Sequence, residues 1–191
     1  MARILIIDGH PSSDRNHYVH ALASAYREGA EIANEVRRID IAKLDFPLLR
    51  DPEDWNQNNL PADLGSAQDK IAWADHVVLL YPIWLGDVPA ALKAFLEQVA
   101  RPGFALEERE NGTFKKLLKG KSAHVIVTMG MPAPIYRIVF RAHSVKSLKR
   151  NILQFVGFNP VRTTLIGHVG RSADYRKKWL QKVEKLGRRG R

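Results

Sequence analysis

The sequence predicts an α/β fold, a three-layer sandwich in which a five-stranded parallel sheet of order 2-1-3-4-5 carries helices on both faces. The apolar segments at residues 3–8 and 76–81 are continuous runs, which indicates strands that are covered on both sides. Helical patterns separate the successive strands, and right-handed crossovers then leave few topologies. The chain has 191 residues, so we expect residues 1–191 to form a single domain.

The predicted elements alternate along the chain, and most are bounded by turn or capping residues. A Gly-His-Pro turn ends the first strand, Gly29 stops the first helix, and the second strand is short and alternating. Pro89 opens the helix after the third strand, while Gly157 and Gly187 end the last two helices. In chain order the elements are strand 3–8, helix 18–27, strand 35–41, helix 66–73, strand 76–81, helix 89–100, strand 123–129, helix 145–156, strand 160–166 and helix 173–186.

Two stretches interrupt this alternation. Residues 45–64 contain Pro and Asn with little periodicity, which predicts a long surface connection. Residues 101–121 include Glu110-Asn111-Gly112-Thr113, and an Asn-Gly pair between short apolar segments is a strong signal for a hairpin turn. We therefore expect a small β excursion between the third and fourth strands.

Composition excludes several function classes. The chain has no cysteine, which excludes disulfides, a thiol nucleophile and Cys-based metal centres. It has no H-E-x-x-H, G-x-S-x-G, G-x-G-x-x-G or Walker motif, and we expect no metal ion. The formal charge of +10 favours anionic partners. The apolar start is too short for a signal peptide and no run approaches the ~20 residues of a membrane span, so we expect a cytoplasmic protein.

Three loops leave the carboxyl ends of the first, third and fourth strands, and in the predicted order they converge on one crevice. Loop 1, residues 9–18, places two His, an Asn and an Arg before a helix, where backbone amides and positive charge suit a phosphate; helix capping accounts for only part of this set. Loop 2, residues 82–89, carries Trp84 in a turn before a helix. Loop 3 covers residues 128–134. A flat cofactor suits an apolar edge of this kind.

These loops resemble the NAD(P)H:quinone oxidoreductase family, flavodoxin-fold flavoenzymes related to DT-diaphorase, the drug-activity modulator proteins and the potassium-efflux ancillary oxidoreductases. The resemblance runs from about residue 3 to residue 170, and its middle motif is the most specific. The matching segments are Gly9-His10-Pro11, Tyr81-Pro82-Ile83-Trp84-Leu85-Gly86-Asp87-Val88-Pro89-Ala90-Ala91-Leu92-Lys93, and Thr128-Met129-Gly130-Met131-Pro132 followed by Tyr136 and His143.

The resemblance implies which residues bind the flavin. In that family the first loop holds the flavin phosphate, the second follows the ring edge, and the third lies beside the pyrimidine end. The matching positions are His10, His17 and Tyr18 in loop 1, Pro82, Ile83, Trp84 and Leu85 in loop 2, and Thr128, Met129 and Gly130 in loop 3. The family commonly has Ser near His17, so Arg15 or Asn16 are alternatives for that contact.

The resemblance also implies catalytic and substrate residues. Tyr136 and His143 match a Tyr/His pair near flavin O2 and N1, where a phenol and an imidazole would stabilise the negative charge that hydride transfer to N5 leaves behind. Phe104 would wall the substrate cavity across a dimer. The remaining histidines are expected to be structural, because none lies on a predicted crevice loop: His20, His76, His124 and His168.

The expected function is a flavin-dependent NAD(P)H oxidoreductase that passes a hydride from NAD(P)H through flavin to a quinone-like acceptor in ping-pong order. FMN is favoured over FAD, because a chain this short leaves little surface for an adenine. The resemblance also implies a homodimer, and it leaves open a regulatory subunit of a potassium-efflux transporter. Nucleic-acid binding is suggested by charge alone and lacks a helix-turn-helix or RNP-type signal, so no nucleic-acid partner is expected.

Overall fold

The central sheet has the predicted architecture. The computed structural model describes residues 1–56 and 60–190. The main sheet consists of β1 (Arg3–Asp8), β2 (Glu35–Asp40), β3 (His76–Pro82), β6 (Ser122–Thr128) and β7 (Val161–Ile166). The spatial order is β2-β1-β3-β6-β7, and every neighbouring pair is parallel. Counted within this sheet, the order is the predicted 2-1-3-4-5, which confirms the fold class.

A two-stranded hairpin lies outside the main sheet. β4 (Leu106–Glu108) pairs antiparallel with β5 (Phe114–Lys116). The turn between them is closed by the Arg109 amide, which donates to the Thr113 carbonyl at 2.8 Å, and by the Gly112 amide, which donates to the Arg109 carbonyl at 2.9 Å. Gly112 has a φ of 71°, a conformation that glycine adopts without steric cost. The hairpin predicted from the Asn-Gly pair is therefore confirmed.

Helices cover both faces of the main sheet. They are α1 (Tyr18–Ala30), α2 (Pro52–Asn56), α3 (Ala62–Trp73), α4 (Ala90–Val99), α5 (Ala133–Ile138), α6 (His143–Ser147), α7 (Gln154–Val156) and α8 (Ala173–Arg189). A 3₁₀ turn at Ile41–Lys43 follows β2, and a π-helical segment at Leu148–Leu153 joins α6 to α7. Within the described ranges no helix is both long enough and apolar enough to cross a bilayer.

Several boundaries differ from the sequence-based expectation. α2 forms inside the predicted surface connection, and α3 begins before that connection was expected to end. Residues 57–59 of the connection lie outside the described residues, as does Arg191 at the end of the predicted domain. α5 is a further addition: Pro132 precedes it and Pro134 lies in its first turn, where proline is tolerated although it disguises the helical pattern.

The two faces of the sheet bury separate apolar cores. On one face, Leu5, Ile7 and Leu79 pack with residues of α3, α4 and the α6–α7 helix. On the other, Ile4 and Ile6 pack with residues of α1 and α8. Burying an aliphatic side chain of this size stabilises the fold by about 1.5–3 kcal/mol each. Burial on both faces explains why the strands are continuous apolar runs.

Two glycines let α1 and α8 pack in direct backbone contact. A Cβ on Gly29 would lie 2.0 Å from the Glu184 carbonyl oxygen, and one on Gly187 would lie 2.1 Å from the Tyr26 carbonyl oxygen. Neither glycine ends its helix as expected, since α1 continues past Gly29 to Ala30 and α8 continues past Gly187 to Arg189. The close crossing fixes the basic α8 firmly on the domain.

Candidate functional site

Loops 1, 2 and 3 are joined to one another at the carboxyl edge of the sheet. The Gly9 amide at the start of loop 1 donates to the Leu80 carbonyl of β3 at 2.7 Å. The Ile83 amide of loop 2 donates to the Thr128 carbonyl of loop 3 at 2.8 Å. The His10 and Trp84 rings meet edge to face at 5.6 Å between centroids. The convergence expected from the strand order is therefore present.

A buried carboxylate anchors the start of loop 1. Asp8 at the end of β1 is fully buried. Its carboxylate accepts the His10 amide at 3.2 Å and the Arg38 guanidinium of β2 at 2.7 Å, and lies 2.6 Å from Nδ1 of His20 on α1. A buried charge requires such partners, because an unpaired one is costly. Nε2 of His20 also contacts the Ser12 carbonyl at 3.0 Å.

His20 therefore belongs to the site's supporting structure, although sequence reasoning set it apart from the crevice. It lies on a helix and not on a loop, yet its ring ties α1 to both ends of the Asp8–Ser12 turn. The signal in the sequence was a polar side chain on the otherwise largely apolar inward face of α1.

Three imidazole rings gather above this anchor. The His10 and His17 rings stack with centroids 4.0 Å apart, and the His10 and His20 centroids are 5.1 Å apart. Nδ1 of His10 accepts the Ser12 amide at 3.1 Å, so the ring proton of neutral His10 lies on Nε2. Burial, with the two neighbouring imidazoles, lowers the pKa of His10 below its ordinary value. His10 is therefore a neutral donor at pH 7.

Tyr18 is directed away from loop 1. Its hydroxyl donates to the Arg176 carbonyl of α8 at 2.8 Å, and burial raises its pKa to about 12. The phenol is therefore bonded to α8, and the cofactor contact expected of Tyr18 stays a prediction. Tyr18 also offers its backbone amide, because the first amides of a helix have no partner within the helix and point toward an anion.

Loop 2 is a tight backbone turn with an apolar tip. Trp84 and Asp87 exchange two amide-to-carbonyl bonds of 3.0 Å each. Between them Leu85 has a φ of 47° and Gly86 a φ of 86°, the two positive values of a type I′ turn. The turn leaves Trp84 49% exposed and Leu85 fully exposed. Ile83 and Pro82 lie below, at the end of β3.

The loops offer unused backbone donors beside these apolar groups. The amides of Leu85, Gly86, Gly130 and Met131 donate to no other group in the described part of the chain. The Met129 amide, in contrast, is bonded to the Ile166 carbonyl at 2.9 Å. A flat apolar wall flanked by free N–H groups fits the isoalloxazine ring of a flavin, whose polar edge accepts hydrogen bonds.

Tyr136 and His143, the predicted catalytic residues, differ in exposure. Tyr136 is buried, and its hydroxyl lies 2.7 Å from Oγ of Ser144, while His143 at the start of α6 is exposed. Ser144 is buried and lines a cleft between loop 2 and α6. Ser144 therefore stands between the Tyr136 phenol and this cleft. Nothing in the sequence singled it out except its place beside His143.

The cleft continues the crevice along one side. It has a volume of about 480 Å³. Loop 2 forms one wall, with the start of α4, and the α6–α7 helix forms the other. Its lining residues include Trp84, Leu85, Lys93, Ser144, Ser147 and Ile152.

Phe104 does not reach this cleft within its own chain. It is half-buried and lines an apolar interior cavity with Val77 and Ala123. These two residues are register partners near the amino ends of β3 and β6, at the opposite edge of the sheet from the loops. The substrate contact expected of Phe104 is thus not made in the single chain.

Comparisons of the sequence give consistent relatives. A family model described as Flavodoxin-like fold (Flavodoxin_2) matches residues 2–187. A Haemophilus influenzae protein named uncharacterized NAD(P)H oxidoreductase is 33% identical over 147 residues, which cover 70% of this chain and 67% of that protein. A Nitratidesulfovibrio vulgaris protein named FMN-dependent NADH:quinone oxidoreductase is 26% identical over 182 residues, or 87% of this chain and 86% of that one.

Solved structures agree on the fold. Smu.1420 from Streptococcus mutans superposes with a TM-score of 0.80 at 26% identity, covering 98% of this chain and 99% of that chain. The NAD(P)H:quinone oxidoreductase from Methanothermobacter marburgensis gives a TM-score of 0.86 at 23% identity, covering 100% and 99%. Because the family model spans nearly the whole chain, the protein belongs to the flavodoxin-like fold family Flavodoxin_2.

Proposed function

We propose that this protein is an FMN-dependent NAD(P)H oxidoreductase that reduces quinones. One observation carries the proposal: three loops meet at the carboxyl edge of the sheet and present a Trp84 wall beside free backbone amides. The names of the relatives point the same way, since the Nitratidesulfovibrio vulgaris protein is called an FMN-dependent NADH:quinone oxidoreductase. That relative's name also favours FMN over FAD as the cofactor.

Loop 1 would hold the phosphate of FMN. His10 donates from Nε2, His17 stacks on it, and the first amides of α1 add donors at the positive end of a helix. The buried Asp8 fixes this arrangement through His20 and Arg38. Of the two alternatives to His17, the Arg15 guanidinium donates to Asp40 at 2.9 Å and the Asn16 side-chain amide donates to Asp14 at 2.9 Å, so each already has a carboxylate partner.

Loops 2 and 3 would hold the ring. Trp84 and Leu85 supply the flat apolar surface, and Pro82 and Ile83 set its height above the sheet. The free amides of Gly86 and Gly130 lie on loops 2 and 3, which the hydrogen bond from the Ile83 amide to the Thr128 carbonyl joins. Thr128 and Met129 hold loop 3 in place through their backbone bonds to Ile83 and Ile166. FMN, when bound here, accepts a hydride from NAD(P)H and passes two electrons to the acceptor.

The cleft would take the nicotinamide and the quinone. A volume of about 480 Å³ accommodates one flat ring system at a time, and we infer that the two substrates bind in turn, in ping-pong order. Ser144, backed by the Tyr136 hydroxyl, would donate a hydrogen bond to a substrate oxygen that gains negative charge. His143 at the head of α6 would supply or take up the proton that accompanies reduction.

A second copy would complete the cleft. A groove lined by Trp55, Leu96 and Phe155 continues from the cleft between α4 and the α6–α7 helix, and both share Lys93. We infer that a homodimer packs here. The contribution of Phe104 to the partner's cleft stays a prediction.

The cytoplasmic location and the transporter-subunit alternative also stay predictions. Co-purification with a transporter would test the second.

The test is direct. Purified protein should be yellow, should release FMN on denaturation, and should oxidise NADH or NADPH only when a quinone is present. Chromatography of the released flavin identifies FMN or FAD. Protein that is colourless and does not take up either flavin on titration would overturn the proposal.

A further inference from the structure

The end of α5 and the turn that follows it present a patch of apolar side chains to solvent. Ile135, Ile138 and Val139 have the i, i+3, i+4 spacing that places them on one helical face, and Phe140 follows directly. They are 45%, 73%, 69% and 50% exposed, respectively. We name residues 135–141 the rim segment. Contiguous exposed apolar surface in a folded domain marks an interaction site.

The rim segment is held rigidly from below. The Tyr136 ring is buried inside it, and the Tyr136 hydroxyl is bonded to Ser144 in the cleft wall. Arg141 and Ala142 both take left-handed conformations, with φ of 51° and 50°, and the Ala142 amide donates to the Tyr136 carbonyl at 3.1 Å. Two consecutive non-glycine residues in this region are strained and persist only where surrounding contacts impose them. The conformation that exposes the apolar tip is therefore imposed by the contacts around it.

The rim segment lies within a stretch of purely positive charge. Residues 111–173 contain no Asp or Glu and eleven Lys or Arg residues. They are Lys115, Lys116, Lys119, Lys121, Arg137, Arg141, Lys146, Lys149, Arg150, Arg162 and Arg171. Arg137 and Arg141 on the rim segment are exposed, and neither forms an ion pair with any residue in the described part of the chain.

We propose that the rim segment docks the protein on an anionic lipid bilayer. Exposed Ile, Val and Phe flanked by arginines have the composition of segments that insert shallowly at a membrane interface while cations meet acidic headgroups. A second copy is a poorer occupant, because a two-fold contact of rim with rim would oppose identical cations. Nucleic acid would leave the apolar tip without a counterpart, since its backbone is recognised by polar and charged groups.

Because of the position of the rim segment, docking on a membrane would affect how a quinone reaches the cleft. The turn leads into α6, whose second residue, Ser144, lines the cleft, so a bilayer against the rim segment would lie beside the cleft. A lipophilic quinone could then pass from the membrane into the cleft without crossing water. This consequence rests on the proposed function, whereas membrane binding itself does not.

The experiment measures co-sedimentation of the full chain with vesicles of phosphatidylcholine, alone or mixed with phosphatidylglycerol, at low and high salt. We expect binding to the mixed vesicles at low salt. Arg137→Gln with Arg141→Gln should weaken it roughly 30-fold, on the basis of two cations near an acidic surface. Ile138→Ser with Phe140→Ser should weaken it about 10-fold through lost insertion. Far-ultraviolet circular dichroism verifies that each variant is folded.

Matched controls distinguish binding through the rim segment from a general effect of net charge or of exposed apolar side chains. Lys177→Gln with Lys178→Gln removes two exposed cations of α8, and Ile32→Ser removes a 65% exposed apolar side chain outside the rim segment. Both should retain binding to within about 3-fold of the unaltered chain. Absence of vesicle binding, or equal losses in rim and control variants, would overturn the proposal.

Two further outcomes would assign the rim to another occupant and so also overturn it. One is a fall in molar mass of the rim variants by light scattering, which would make it a contact between copies. The other is rim-dependent binding to an oligonucleotide with none to vesicles. For an active enzyme, Ile138→Ser with Phe140→Ser should slow reduction of vesicle-embedded quinone while sparing a water-soluble quinone. Vesicle binding without turnover would instead count against the proposed function alone.

Discussion

Loop 1 begins at a buried carboxylate that is bonded to side chains from α1 and β2, whereas loop 2 begins at a proline and closes on two backbone bonds. Loop 1 presents imidazoles and amides, and loop 2 presents an indole and a leucine. In the proposed function, loop 1 would bind the phosphate and loop 2 the flat ring of FMN. Buried side-chain charge holds loop 1 and backbone bonds hold loop 2, so substitutions should affect the two separately.

The largest effect is expected for Asp8→Asn. The change leaves Arg38 and His20 without their buried anion, and loss of one partner of a buried pair costs about 3 kcal/mol or more of folding free energy. Urea unfolding measures it, and FMN titration should show weaker binding. The control is Asp75→Asn: Asp75 pairs with Arg3 at 2.6 Å on the surface, and its loss should cost less than about 1 kcal/mol. Equal effects at the two sites would refute the anchor.

A second prediction separates the loops from the opposite edge of the sheet. Burial lowers the pKa of His76 to about 4, and its Nδ1 lies 2.7 Å from Oγ of Ser122. The unfolded imidazole binds a proton near pH 6.5 and the folded one only near pH 4, so stability falls as the pH drops between these values, by about 3 kcal/mol in all.

His76→Gln should remove most of this acid sensitivity without altering the affinity for FMN at pH 7. Urea unfolding between pH 7 and pH 4 measures the first, and flavin titration the second. A variant that remained as acid-sensitive as the parent would transfer the effect to other groups, of which His10 in loop 1 is the first to examine.

Trp84→Ala should affect binding far more than folding. The indole is 49% exposed, so the free energy of unfolding should change by less than about 1 kcal/mol, while lost ring stacking should weaken FMN binding about 10-fold. Phe114→Ala, at a 45% exposed aromatic on the hairpin, is the matched control and should leave FMN binding unchanged. Retention of FMN through dialysis at the parent level would remove Trp84 from the site.

The smallest effect is expected for Leu85→Gly. Leu85 has a φ of 47° and buries nothing, so glycine relieves backbone strain and should raise the free energy of unfolding by about 0.5–1 kcal/mol. Thermal unfolding measures the gain. The same substitution at Leu48, which is 59% exposed and has no positive φ, should give no gain. Destabilisation at Leu85 would mean that its side chain supports loop 2.

Sequence periodicity located the sheet, its order and the three loops, because continuous apolar runs and Pro or Gly punctuation are local signals. It could not locate contacts between distant residues. His20 reaches Asp8 only after α1 packs on β1, and Ser144 meets Tyr136 only because of a strained turn with no glycine to mark it. Gly29 illustrates the same limit: a glycine that reads as a helix stop serves instead to admit another helix.

The bond from the Tyr18 hydroxyl to the Arg176 carbonyl couples the last helix to the residue that follows His17. Together with the glycine crossing, it makes α8 a support for the start of α1, where the FMN phosphate is proposed to bind. A fusion tag attached at the end of α8 is therefore expected to disturb the proposed phosphate-binding end of α1. A label or surface attachment is better placed on the β4–β5 hairpin, which forms a two-stranded sheet separate from the main one.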